Sequence, residues 1–102
     1  MMKKNAGMRV DFEKFWAYYN EHARKQYSSA CKTDFHRTFT QAMLEDGYMN
    51  GGYINCVNLV SENMDKLCRK SAQEMRKRGV PEEGIRSFTS HFKKWFESYY
   101  GK

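Results

Sequence analysis

Between Tyr53 and Gly79, apolar or small residues return every three or four positions: Tyr53, Val57, Val60, Met64, Leu67, Ser71 and Met75. That spacing is one stripe of an α-helix. At about 100° per residue, Lys66, Arg69, Lys70, Gln73, Arg76 and Lys77 fall on the side opposite it. Gly79 is placed to end the helix, because glycine takes the left-handed conformation that helix C-termini favour. Pro81 blocks resumption in the same register.

The same period marks three further helices. Asp11 is a good N-cap for a stripe of Phe12, Trp16, Tyr19, Ala23 and Tyr27, which predicts a helix over 11–27. Tyr18 falls on its polar side with Glu21 and Lys25, as a surface or contact residue. Ser28, Ser29, Thr33 and Asp34 offer side-chain hydrogen bonds that compete with a helix. A break is predicted there, with Thr33 or Asp34 capping a second helix over 34–46 through Phe35, Phe39, Ala42 and Met43. One continuous helix from Asp11 to Asp46 stays open, since no Gly or Pro interrupts the span. Gly47 ends this part, and the GYMNGGY segment reads either as a recognition loop presenting Tyr48 or as a connector whose aromatics fold back on the core. Val80-Pro81-Glu82-Glu83 opens the last helix, over 81–100, because proline suits a first turn and glutamates suit the positive end of the helix dipole. Its seam is Ile85, Phe88, Phe92, Trp95 with Phe96, and Tyr99, and Arg86, Lys93, Lys94 and Glu97 lie on or near the outer face.

The pattern therefore predicts an all-α protein, a compact bundle of about four helices near 11–27, 34–46, 53–78 and 81–100. Met64, Leu67, Phe88, Phe92 and Trp95 are its expected core. Residues 1–102 read as one helical domain, with a flexible basic arm over 1–10. A chain of 102 residues with seven Phe, seven Tyr and two Trp can close a core without metal or disulfide staples.

No apolar run approaches the roughly 20 residues of a membrane span, and the N-terminal residues lack the apolar stretch of a secretory signal, so a cytoplasmic protein is expected. Cys31, Cys56 and Cys68 are an odd number with no CxxC spacing, which suits reduced thiols serving as small hydrophobes. No metal site and no cofactor site is expected. Cys56 and Cys68 fall on the two shoulders of the long stripe, as half-buried thiols.

Charge is what sets this chain apart. The formal net charge is +6, yet from Thr38 to Asp65 there is no Lys or Arg, and Glu45, Asp46, Glu62 and Asp65 lie there. From Lys66 to Arg78 six bases stand against Glu74. Such a polarised chain steers acidic partners. Chemistry is less visible. His22, His36 and His91 each stand alone, and no Ser or Cys sits in a nucleophile-elbow pattern. His91, between Phe88 and Trp95, reads as a hydrogen-bonded structural histidine, and Gly51-Gly52 lacks the Lys-Ser/Thr of a phosphate-binding loop. No enzymatic activity is expected.

The site read from the sequence is thus Lys66, Arg69, Lys70, Arg76, Lys77 and Arg78, with Tyr18 and Tyr48 as aromatic contacts. The competing reading is a solvated face, with Glu62–Lys66, Asp65–Arg69 and Glu74–Arg78 as pairs worth about 0.2–0.5 kcal/mol each. The expected function is that of a small non-enzymatic binding protein whose basic helix face docks on nucleic acid. The alternative is an inhibitor or adaptor that docks on a larger nucleic-acid-processing complex, its basic face meeting an acidic protein surface and its exposed aromatics supplying hot spots.

Overall fold

The computed structural model describes residues 9–45 and 56–101. Among them run five helices, α1 (Phe12–His22), α2 (Ser29–Glu45), α3 (Val57–Glu62), α4 (Met64–Lys77) and α5 (Glu82–Tyr100), and no strand. The fold is an all-α bundle. Its most extensive pairing is α2 with α4, and α5 packs on α1, α2 and α4. The radius of gyration, 13.2 Å, is that of a compact chain of this length.

Aromatic rings from α1, α2 and α5 build the centre. Phe92 is fully buried and has the rings of Phe12, Phe15, Phe35, Phe39, Trp95 and Phe96 around it at centroid distances of 4.9–5.9 Å. Such offset and edge-on contacts add to the area term that drives burial. From α4, Leu67, Ser71 and Met75 enter the core as the stripe predicts. Ser71 and Thr38 are its buried polar residues, and each hydroxyl donates to the carbonyl four residues back, at 2.8 Å. Met64 is only half-buried.

The termini of these helices follow from named residues. Asp11 caps α1, its Oδ1 accepting from the backbone N–H groups of Glu13 and Lys14 at 3.1 and 3.2 Å. Gly79 has φ +85°. Around it the Gly79 N–H donates to the Arg76 carbonyl and the Val80 N–H to the Met75 carbonyl, at 3.1 and 3.0 Å. This is a Schellman closure, with Val80 and Met75 both buried beneath it.

Four boundaries differ from the sequence expectation, each for a local reason. First, α1 stops at His22, where Ala23 turns to an extended backbone (φ −74°, ψ 134°) and the Gln26 amide donates to the carbonyls of Asn20 and Ala23. Second, α2 begins at Ser29 because Ser28, not Thr33 or Asp34, takes the capping role. Its Oγ accepts from the Cys31 N–H at 3.4 Å and its carbonyl accepts from Cys31 and Lys32. The continuous helix from 11 to 46 is thereby excluded.

Third, the long central helix is divided at Asn63 (φ −121°, ψ 21°), whose amide donates to the Leu59 carbonyl at 2.9 Å in competition with the helix ladder. Fourth, the seam of α5 ends on Tyr100 rather than Tyr99. Tyr100 is buried and its hydroxyl accepts from the Asp11 N–H at 3.0 Å, whereas Tyr99 is 49% exposed. Of the arm expected over 1–10, residues 1–8 lie outside the described residues. Arg9 forms an isolated antiparallel bridge with Cys56, and Val10 is buried. Tyr53 and the whole 47–53 connection also lie outside the described residues.

Candidate functional site

The stripe that buries Leu67, Ser71 and Met75 turns the opposite side of α4 outward. Lys66, Arg69, Arg76, Lys77 and Arg78 are exposed and Lys70 is half-exposed. Local sequence accounts for this face: the hydrophobic period fixes which side is buried, and the long basic side chains sit on the remaining arc.

Carboxylates from three elements meet the last turn. Glu82 of α5 forms a two-pronged bond with Arg76, Nε to Oε2 and Nη2 to Oε1, the second at 3.1 Å. That bond holds Glu82 below the usual carboxylate range and raises the Arg76 guanidinium. Lys77 pairs with Glu74 at 3.2 Å, and Arg78 lies 3.8 Å from Asp34 of α2, which Arg37 also approaches at 3.6 Å. Glu74 therefore takes Lys77, not the Arg78 expected four residues on, and Asp65 takes Lys93 of α5 at 2.9 Å rather than Arg69. Helical spacing offers those partners, but the packing of α4 on α2 and α5 brings better-placed ones. Exposed pairs of this kind contribute roughly 0–1 kcal/mol each.

Tyr18 is half-buried on α1, which packs on α5. Its ring stacks on His22 at 4.2 Å and meets the His91 ring edge-on at 6.4 Å. Its surroundings are thus the α1–α5 side of the bundle. Tyr48 lies outside the described residues. His91 is hydrogen-bonded in the manner its position in the α5 seam suggests, its Nδ1 lying 2.7 Å from the Ser87 carbonyl.

Sequence reasoning missed the contribution of the α1–α2 connector. With α1 read as continuing to residue 27, Arg24 and Lys25 were two more residues of a helix. Because α1 stops at His22, both reach a groove shared with Arg86 and Lys93 of α5. The available signal was Gln26, a residue able to cover the helix-end carbonyls. A smaller cleft, of about 400 Å³, opens on the α1–α2 side beside Trp16, His36 and Arg37.

Among the described residues no cluster of three or more His, Cys, Asp or Glu could hold a metal ion. No helix there is long and apolar enough to cross a membrane. Cys31, Cys56 and Cys68 are free thiols. Cys56 and Cys68 are buried rather than half-buried, and burial pushes Cys68 up to about 11. Comparison with protein-family models, curated proteins and solved structures finds no match.

Proposed function

We propose that this is a binding protein without catalytic chemistry, whose α4 face docks on the phosphates of nucleic acid. The observation that supports the reading is the division of α4 into a buried side of Leu67, Ser71 and Met75 and an outer side carrying Arg69, Arg76 and Lys77. The carboxylates that meet this outer side do so through exposed pairs, with Arg76 and Glu82 each about half exposed. A phosphate can displace such solvent-exposed carboxylates at little cost, and counterion release from the polyanion favours the exchange. Contacts of this type position a protein on the backbone and carry no base readout. A cytoplasmic location belongs to the same reading, with the three free thiols as its support.

Fluorescence anisotropy with a labelled DNA or RNA duplex, competed by polyglutamate, tests the assignment. Tight duplex binding that polyglutamate displaces poorly is the expected result. The exposed Tyr99, stacked on Trp95 at 5.5 Å, favours a second reading, an inhibitor or adaptor docking on an acidic protein surface. Polyglutamate competing as well as duplex at equal charge would shift the assignment to that reading.

A further inference from the structure

Arg24, Lys25, Arg86 and Lys93 line one groove of about 640 Å³ between the α1–α2 connector and α5, with His22 and His91 on its wall. Among the described residues Glu83 is the carboxylate that lines it, and no residue of α4 does. Lys93 is held by Asp65, Lys25 lies 5.3 Å from the Tyr27 ring centroid, and the charge of Arg86 acts on the Glu82 carboxylate, while Arg24 is in no ion pair among the described residues. Four cations against the single carboxylate of Glu83 leave this lining net positive, a field that attracts an anion.

The acceptors that would oppose an anion here are already engaged. The C-terminal end of α1 carries the negative pole of its dipole. Its carbonyls at Tyr18, Tyr19, Asn20 and Ala23 accept from His22 Nδ1, the Ala23 N–H and the Gln26 amide. On α5 the Ser87 carbonyl accepts from His91 Nδ1 and Ser90 Oγ. Nδ1 of each ring faces these backbone acceptors, so Nε2 is the ring nitrogen left for a ligand. That nitrogen can hydrogen-bond to a phosphate group.

Charge density distinguishes among anions. A duplex is a rod whose phosphodiesters each carry one charge, and it lies along a surface. This open groove of about 640 Å³ has room for an end group with the unit that bears it. A terminal phosphate concentrates up to two charges on three oxygens, matching guanidinium forks and ammonium groups converging from two elements. The geometry points to a phosphate-monoester site formed by His22, Arg24, Lys25, Arg86, His91 and Lys93. It goes beyond the α4 docking reading and does not depend on it.

Calorimetric titration of the full chain with adenosine 5′-monophosphate and with adenosine, alongside NMR of the histidine rings, tests the site. The nucleotide should bind and the nucleoside should not, with the His22 and His91 ring signals moving while His36, in the other cleft, stays still. Arg24→Gln with Arg86→Gln should weaken nucleotide binding roughly tenfold or more, since a hydrogen bond to a charged group is worth about that factor. Arg37→Gln should leave it within about twofold. Both variants replace exposed side chains, and a matching circular dichroism melt verifies their fold. A 5′-phosphorylated single strand competing better than the free nucleotide would identify a strand end as the source, and the reverse a free metabolite. Either ranking retains the site. Equal affinity for nucleotide and nucleoside, an undiminished affinity in the Arg24/Arg86 variant, or an equal loss in Arg37→Gln would overturn it. Duplex binding is measured separately, so failure here leaves the α4 docking reading standing.

Discussion

Asp65 Oδ1 stands 2.9 Å from Lys93 Nζ, and the pair joins α4 to α5. The hydrogen bond and charge of Lys93 hold the Asp65 carboxyl below its ordinary range, and Asp65 in turn raises Lys93. A carboxylate with a depressed folded-state pKa stabilises the fold above its unfolded value, about 3.9, and loses that contribution as pH falls through the lowered value. Asp65 is largely exposed to solvent, so the effect is small and sensitive to salt. Urea titrations of wild type and Asp65→Asn should show the wild type more stable near neutral pH and the two converging in acid. A constant gap at every pH would mean that the pair does not act through charge.

Phe92 and Leu67 are both fully buried in the core. Phe92→Ala should cost about 3–5 kcal/mol and Leu67→Ala about 2–5 kcal/mol, through lost transfer energy and an unfilled cavity. With roughly 5–15 kcal/mol in hand for a domain of this size, either change should visibly lower the melting temperature. An unchanged melt in both would contradict the packing described here.

Most of the fold was legible in the sequence because it rests on a helical hydrophobic period. The buried Val57, Val60, Leu67, Ser71 and Met75, the Asp11 cap and the Gly79 closure all follow from residue type and spacing. What escaped depends on local competition or tertiary packing. Asn63 carries an amide that divides a helix whose apolar stripe runs on unbroken across it, and nothing in the stripe signals this. Tyr27, read as a seam residue of the first helix, does pack on the core but from the connector, its ring 5.9 Å from that of Phe88 and 3.3 Å from where a Cβ on Gly84 would stand. The basic run of the candidate site was plain, but its carboxylate partners Glu82 and Asp34 come from other elements, and spacing along one helix cannot reveal them.

His36 stacks on Phe12 with ring centroids 4.0 Å apart, and desolvation lowers its pKa against the opposing charge of Glu13. Here the unfolded chain takes up the proton first as the medium is acidified. Stability should therefore fall as pH drops through about 6.5 and level off below the folded-state value. Melting temperatures of His36→Gln relative to wild type, followed from neutral to mildly acidic pH, should show the variant losing less. Parallel curves would remove His36 from the acid response.

Cys68 is buried, and its thiol is pushed up to about 11, so its thiolate fraction near pH 8 is only about 0.1%. Iodoacetamide should label half-buried Cys31 first, with buried Cys56 and Cys68 reacting only as the chain opens. Peptide mass spectrometry over time reads this order directly. Cys68 labelling as fast as Cys31 in the folded protein would contradict its burial.

Neutralisation of phosphates by the α4 face would make duplex affinity depend steeply on salt. If Lys66, Arg69, Lys70, Arg76, Lys77 and Arg78 all engage, the slope of log affinity against log salt should approach about −5. Lys66→Gln with Arg69→Gln should flatten it by nearly two units for any base sequence. Neither change removes a buried group, so the circular dichroism melt should stay close to that of wild type. A wild-type slope near zero, or a double variant with the wild-type slope and affinity, would contradict this role of the α4 face.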